Sequence, residues 1–153
     1  MKIVRRSSDI LASIFLLAIL FSCKEKKLGR SNSFRDLSVS EIVSGMEKEN
    51  VLMGPAVGIA GEKPAQWSRY EVLQAKASEK ELIALTSHKN ATVRCYAFKA
   101  LLSRESSGIM QIIKGHAMDT ATVYTLFGCL GGSQEVRDYF ITGGKIHGSN
   151  NHK

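Results

Sequence analysis

The clearest pattern of apolar and polar positions lies in residues 87–104, where a short polar corner precedes an amphipathic stretch. Its apolar positions recur at i, i+4, i+7 and i+8, the spacing of one buried stripe on an α-helix. These positions are Val93, Ala97, Ala100 and Leu101. Residues 79–87 repeat the helical spacing through Leu82, Ile83 and Leu85. The pattern predicts two antiparallel helices joined by a tight corner, a unit that needs neighbours to bury both of its faces.

Capping signals predict where two helices begin. Ser38 is followed three residues later by Glu41, a capping box that predicts a helix over residues 39–49. Ser78 with Glu81 repeats the device at the start of the helix over residues 79–87. In each box the serine side chain and the glutamate side chain satisfy backbone N–H groups of the first helical turn.

Proline and glycine mark the stretch between these helices. Residues 51–64 contain three glycines and two prolines, which predicts an irregular segment packed against the fold. Pro64 suits the first turn of a helix, here predicted over residues 65–76. Asn90 is an N-cap for the helix of residues 91–104.

A weak internal repeat extends the helical prediction. Shifting the chain by 28 residues aligns His88 with His116 and keeps most apolar positions apolar. A second helix pair is therefore predicted over residues 109–117 and 121–130, ended by two glycines. A last helix is predicted after Ser133. Its apolar residues are Val136, Tyr139, Phe140 and Ile141.

The corner at Asn90 resembles the HEAT-type, armadillo-like helical repeat. Val93 and Arg94 form the pair that opens the second helix of that repeat, and Ala97 and Leu101 occupy its core-facing positions. The resemblance implies an all-α fold, a short α-solenoid of antiparallel helix pairs over residues 37–142. Such arrays mostly bind other proteins. Arg94 has two interpretations, structural hydrogen bonds across the corner or contact with a ligand.

The N-terminus has the pattern of an export signal. Three basic residues precede an apolar run over residues 10–21, which is too short to span a bilayer and is typical of a signal peptide. Leu20, Ser22 and Cys23 resemble the bacterial lipobox. That resemblance implies removal of residues 1–22 and acylation of Cys23, which would attach the protein to membrane lipid. An ordinary signal peptide or a short signal anchor is the alternative.

The same N-terminal signal resembles lipoproteins of Bacteroidetes-type bacteria. The resemblance implies a lipid-anchored protein of the bacterial outer membrane, on its periplasmic face. Residues 23–36 would then be an acylated, basic tether. Residues 143–153 are glycine-rich and polar, which predicts a disordered tail.

Charge separates the tether from the fold. The chain has a net charge of +7. Residues 24–35 carry five basic residues against one acid, whereas residues 36–142 carry 11 basic and 12 acidic residues. A nucleic-acid-binding fold carries a basic face. The balanced charge here predicts no nucleic-acid partner, and the basic tether favours anionic headgroups or remains a solvated linker.

Cysteine and histidine are the remaining candidates for chemistry. Cys95 and Cys129 lie outside any CxxC pair, so neither a metal site nor a metal cofactor is predicted. A Cys95–Cys129 disulfide and two buried free thiols both remain open. His88 and His116 occupy equivalent corners, where an imidazole that caps backbone groups is expected. The chain has no GxSxG or HExxH motif, so no catalytic residue is predicted.

These expectations together favour a non-catalytic, membrane-anchored module that binds or scaffolds an unidentified envelope protein. The alternative is a thiol-dependent or metal-binding envelope protein that uses Cys95 and Cys129. A double cysteine-to-serine variant separates the two, because only the alternative predicts loss of activity or of bound metal with the fold intact.

Overall fold

A computed structural model of the chain describes residues 34–145. These residues form six α-helices and three β-strands after a 3₁₀ turn at Phe34–Asp36. The helices are α1 (Val39–Glu49), α2 (Ala65–Lys76), α3 (Glu79–Thr86), α4 (Ala91–Ser103), α5 (Ile109–Gly115) and α6 (Val136–Ile141). The strands are β1 (Leu52–Val57), β2 (Thr122–Gly128) and β3 (Leu130–Glu135).

The predicted all-α solenoid is wrong, because the fold is mixed α/β. The three strands form one sheet in the order β1-β2-β3, with β1 parallel to β2 and β3 antiparallel to β2. β1 occupies the segment predicted to be irregular. β2 and the start of β3 replace the helix predicted over residues 121–130. Residues 37–142 are therefore not a HEAT-type helical repeat array.

The pattern of β2 explains the error. Val123 and Thr125 are buried, whereas Thr122 and Tyr124, which alternate with them, are exposed. This alternation has the period of a strand, and β-branched and aromatic residues fill most of its positions. The 28-residue shift compares apolar residues one by one, so it does not distinguish the spacing of a helix from the alternation of a strand.

β1 is an edge strand that fits closely against β2. Leu52 pairs with Thr125, and Met53 pairs with Leu126. A Cβ on Gly54 would come within 2.6 Å of the Phe127 ring, so glycine allows the two strands to approach. Pro55 is tolerated in β1 because an edge strand has backbone groups that do not pair within the sheet.

The capping predictions are confirmed. Both capping boxes form, with the Ser38 and Ser78 side chains accepting from the backbone N–H groups of Glu41 and Glu81. The Asn90 side chain accepts from the backbone N–H of Val93. α1 and α2 have the bounds that the sequence predicts, and α3 and α4 differ from prediction by a residue or so.

α4 lies at the centre of the core. It contacts α1, α2, α3, α6 and the two strands β1 and β2. Val93, Ala97 and Leu101 are fully buried, as the stripe predicts. The burial extends around the helix to residues outside that stripe. These are Cys95, Tyr96 and Phe98, and they are covered because α6 and the sheet lie on the side that a two-helix unit would leave open.

The predicted signal peptide and Cys23 lie outside the described residues, as does most of the predicted tether. Residues 146–153 of the predicted tail also lie outside them. Gly144 is described, and its backbone N–H donates to the Tyr139 carbonyl at 2.8 Å. Within residues 34–145, no helix is long and apolar enough to cross a bilayer.

Candidate functional site

Arg94 ties the corner before α4 to the segment before β2. Its Nη1 donates to the carbonyl oxygens of His88 at 2.7 Å and Lys89 at 3.1 Å. Its Nε lies 2.9 Å from Oδ2 of Asp119. Its Nη2 donates to Oδ1 of Asp119 at 3.1 Å, and the arginine is only 8% exposed. Of the two interpretations of Arg94, this geometry is that of hydrogen bonds across the corner, and Asp119 adds a partner on a distant segment.

The two histidines have different partners. Nδ1 of His88 accepts from the backbone N–H of Asn90 at 3.2 Å, which is the backbone cap that the sequence predicts. Nδ1 of His116 instead lies 3.1 Å from Oδ2 of Asp119, in the cluster that also holds Arg94. The corners are therefore not equivalent, because a strand follows the second corner where the repeat required a helix.

The cysteines lie in different environments, and neither forms a disulfide within the described residues. Cys95 is buried in α4, and this burial raises the pKa of its thiol far above the ordinary value. Cys129 is exposed and is the one residue between β2 and β3. No group of three or more His, Cys, Asp or Glu side chains in residues 34–145 could hold a metal ion.

Lys99 is a further perturbed group that the sequence did not indicate. Its Nζ lies 5.7 Å from the ring centroid of Trp67 and 6.0 Å from that of Tyr70. Burial lowers the pKa of this amine. The ammonium over two rings is a cation–π contact that joins α4 to α2, which is a structural role.

A groove with a volume of about 620 Å³ lies between α1 and α3. α1 contributes one wall and α3 with its following corner contributes the other. The lining residues are Ser38, Val39, Ser40, Val43, Ser44, Glu47, Glu81, Ala84, Leu85 and His88. We call this the α1–α3 groove. Its volume lies within the range of about 300–1,000 Å³ that is usual for ligand pockets.

The two walls of the α1–α3 groove run parallel. Glu47 near the end of α1 lies 3.8 Å from Nε2 of His88, just beyond the end of α3. Ser38 and Glu81 line the groove where the two helices begin. Both helix starts are held by capping boxes, and hydrogen bonds from Ser38 and Ser78 lower the pKa values of Glu41 and Glu81. The capping boxes therefore fix the first residues of the two helices that form the groove.

The wall surface between these ends is largely apolar, with Ser40 and Ser44 also in the lining. Val43 is 8% exposed, and Val39 and Leu85 are half-buried. Ala84 is exposed, so its methyl group leaves room at the middle of α3. The sequence does not indicate this site, because both helices were predicted to belong to a stack whose neighbours would cover them. The two capping boxes predict where these helices of 11 and 8 residues begin, but not that they lie side by side.

The charged side chains that line the groove are acidic. Among the lining residues, Glu47 and Glu81 are the acidic ones, and none is lysine or arginine. The Lys89 ammonium lies 3.3 Å from Glu47, and the Lys89 side chain is 82% exposed. α1 and α3 together carry five glutamates and two lysines, in a chain whose net charge is +7. The groove is therefore an acidic region of a basic protein.

Comparisons with known proteins add no relative. No family, curated protein or solved structure matches this chain.

Proposed function

We propose that this protein is a non-catalytic protein-binding module, anchored to a membrane by an acylated Cys23, which receives a helical segment of a partner protein in the α1–α3 groove. The observation that supports the binding role is the groove itself, an open apolar surface between two capped helices. Apolar grooves between helices are a common way to bind an amphipathic helix.

The dimensions of the groove suit a helix. Along α1 the lining extends from Ser38 to Glu47, which is roughly 13 Å at 1.5 Å per residue. Two to three turns of a partner helix cover that length, and its apolar residues at i, i+3 and i+4 lie on one face. Val39, Val43 and Leu85 would contact that face.

The anchor is proposed from the N-terminal signal. The lipobox resemblance at Cys23 and the basic residues that follow it favour attachment to a membrane with anionic headgroups. We place the protein on the periplasmic face of a bacterial outer membrane. There the module would bind an envelope protein close to the lipid surface.

The proposed binding role is tested by selecting helical peptides that bind the whole protein. A displayed library of peptides of about ten residues, long enough to cover the groove at 1.5 Å per residue, is selected against the wild type. Enriched peptides are then measured by fluorescence anisotropy on Ala84→Trp, whose indole occupies the groove from an exposed position. We expect at least tenfold weaker binding to this variant.

Ala75→Trp is the matched control, because Ala75 is an exposed alanine of α2 outside the groove. It should bind the peptides as the wild type does. If enriched peptides bind Ala84→Trp as tightly as the wild type, or if no peptide is enriched, the groove is not a docking site for a helix.

The thiol-dependent alternative has no specific support. A nucleophilic or metal-binding cysteine acts as its thiolate, and burial of Cys95 suppresses that form. Cys129 is exposed on the hairpin turn, away from the buried surroundings of Cys95.

A further inference from the structure

We propose that the partner segment is a basic amphipathic helix, with a lysine or arginine near each end of the α1–α3 groove and apolar residues between them. This inference rests on the proposed docking function and adds the chemistry of the occupant. It follows from the positions of the carboxylates along the groove.

The two glutamates of the lining lie at opposite ends. Glu81 is in the first turn of α3, and Glu47 lies beside His88, which follows α3 by two residues. No lysine or arginine is among the lining residues. A segment that fills the apolar middle would therefore bring its own ends close to a carboxylate on either side.

Both carboxylates retain capacity for a new partner. Glu47 contacts the ammonium of Lys89, but that side chain is largely exposed and an exposed ion pair holds its partner weakly. Glu81 accepts from the Ser78 backbone and hydroxyl through its Oε2. A carboxylate has two oxygens and about four lone-pair sites, so this cap does not use all of them.

The spacing of the carboxylates matches a helix. Glu81 and His88 are seven residues apart along the α3 wall, which is roughly 10 Å at 1.5 Å per residue. Residues i and i+7 of a partner helix are separated by the same distance and lie on one face. Basic residues at i and i+7 would thus meet Glu81 and Glu47, and apolar residues at i+3 and i+4 would enter the groove.

The surrounding charge favours the same occupant. α1 and α3 carry more than twice as many glutamates as lysines, although the chain as a whole is basic. An acidic surface attracts a basic segment and disfavours an acidic one. It also disfavours a second copy of this chain bound through the same acidic helices, since like charges would face each other.

Three peptides of one helical design test the inference. They share leucines at i+3 and i+4 and carry lysine, glutamine or glutamate at both i and i+7. Binding to the whole protein is measured by fluorescence anisotropy at low and high salt. We expect the lysine peptide to bind about fivefold more tightly than the glutamine peptide, because two exposed ion pairs contribute about that difference in affinity. The glutamate peptide should bind most weakly, and high salt should reduce all differences.

Glu47→Lys should reverse part of this order, because it replaces one carboxylate by an ammonium without touching a capping box. The lysine peptide should lose its advantage and the glutamate peptide should gain affinity. Glu62→Lys is the matched control, because it makes the same change of charge at an exposed glutamate outside the groove. It should leave the order of the three peptides unchanged.

The outcomes separate the two proposals. Equal affinity of the three peptides, with binding still lost in Ala84→Trp, overturns the basic partner and leaves the docking function standing. Binding that is unaffected by Ala84→Trp overturns both. Sedimentation of the wild type as a dimer that Ala84→Trp dissociates would identify a second copy as the occupant, and would also overturn the basic partner.

Discussion

Arg94 connects two separate stretches of the chain through one side chain. It satisfies two carbonyl oxygens of the corner before α4 and pairs with Asp119 before β2. Both charged side chains are mostly buried, at 10% and 17% exposure. A buried ion pair is costly to break on one side only, because the remaining charge has lost its partner.

Arg94→Leu should therefore lower the free energy of unfolding by about 3 kcal/mol. The partly buried Asp119 would lose its arginine partner, and the carbonyl oxygens of His88 and Lys89 would lose their donor. Urea denaturation followed by circular dichroism measures the change. Arg94→Lys should recover only part of the loss, since one ammonium cannot reach all three partners.

The double variant Arg94→Leu/Asp119→Leu controls for this interpretation. It removes both charges, so it should be more stable than the sum of the two single changes predicts. If the double variant loses as much free energy of unfolding as Arg94→Leu and Asp119→Leu lose together, the Arg94–Asp119 pair makes no direct contribution to stability.

At the scale of elements, sequence signals within one helical turn predicted the structure correctly. The pairing of segments that are distant along the chain was not predicted. A capping box involves residues three positions apart, so Ser38 with Glu41 indicates a helix start wherever the segment lies in the fold. β1 becomes a strand because Leu52 meets Thr125, which is distant in sequence. Its glycines and Pro55 favour a loop locally, and only the neighbouring strand overrides that preference.

Gly54→Ala tests the close pairing of β1 with β2. The new methyl group would lie 2.6 Å from the Phe127 ring, so the ring or the strand must move. We expect the free energy of unfolding to fall by about 2 kcal/mol. Thermal and urea denaturation measure it.

Gly115→Ala is the contrasting substitution, because a Cβ at the end of α5 meets no atom within 4 Å. Stability should remain the same or rise by up to about 1 kcal/mol, since alanine restricts the unfolded chain. A Gly54→Ala variant as stable as Gly115→Ala would show that β1 does not pack against Phe127 as described.

For the whole molecule, the proposed anchor and the folded part have separate physical bases. The folded residues balance their charges, and basic residues are in excess next to Cys23. One acyl chain gives marginal membrane binding and a second makes it stable, so the extent of acylation would determine how the proposed module is held.

Intact mass of the membrane-extracted protein tests the anchor. We expect a chain that begins at Cys23 and carries added acyl mass, because the lipobox resemblance places cleavage directly before that cysteine. Cys23→Ala should lose the acyl mass and should no longer be found in the membrane fraction. An unacylated mass in both proteins would contradict the lipoprotein proposal and would leave the export signal to be reassigned.

The sequence by itself determined the features that depend on neighbouring residues. The two capping boxes, the bounds of α1 and α2 and the core-facing stripe of α4 follow from side chains within one or two helical turns. The tertiary structure decided the rest. The sheet requires strands that are distant along the chain, and the α1–α3 groove requires two helices packed side by side on α4. Such contacts form because they bury apolar surface from several distant segments together. No short segment of the sequence specifies them by itself.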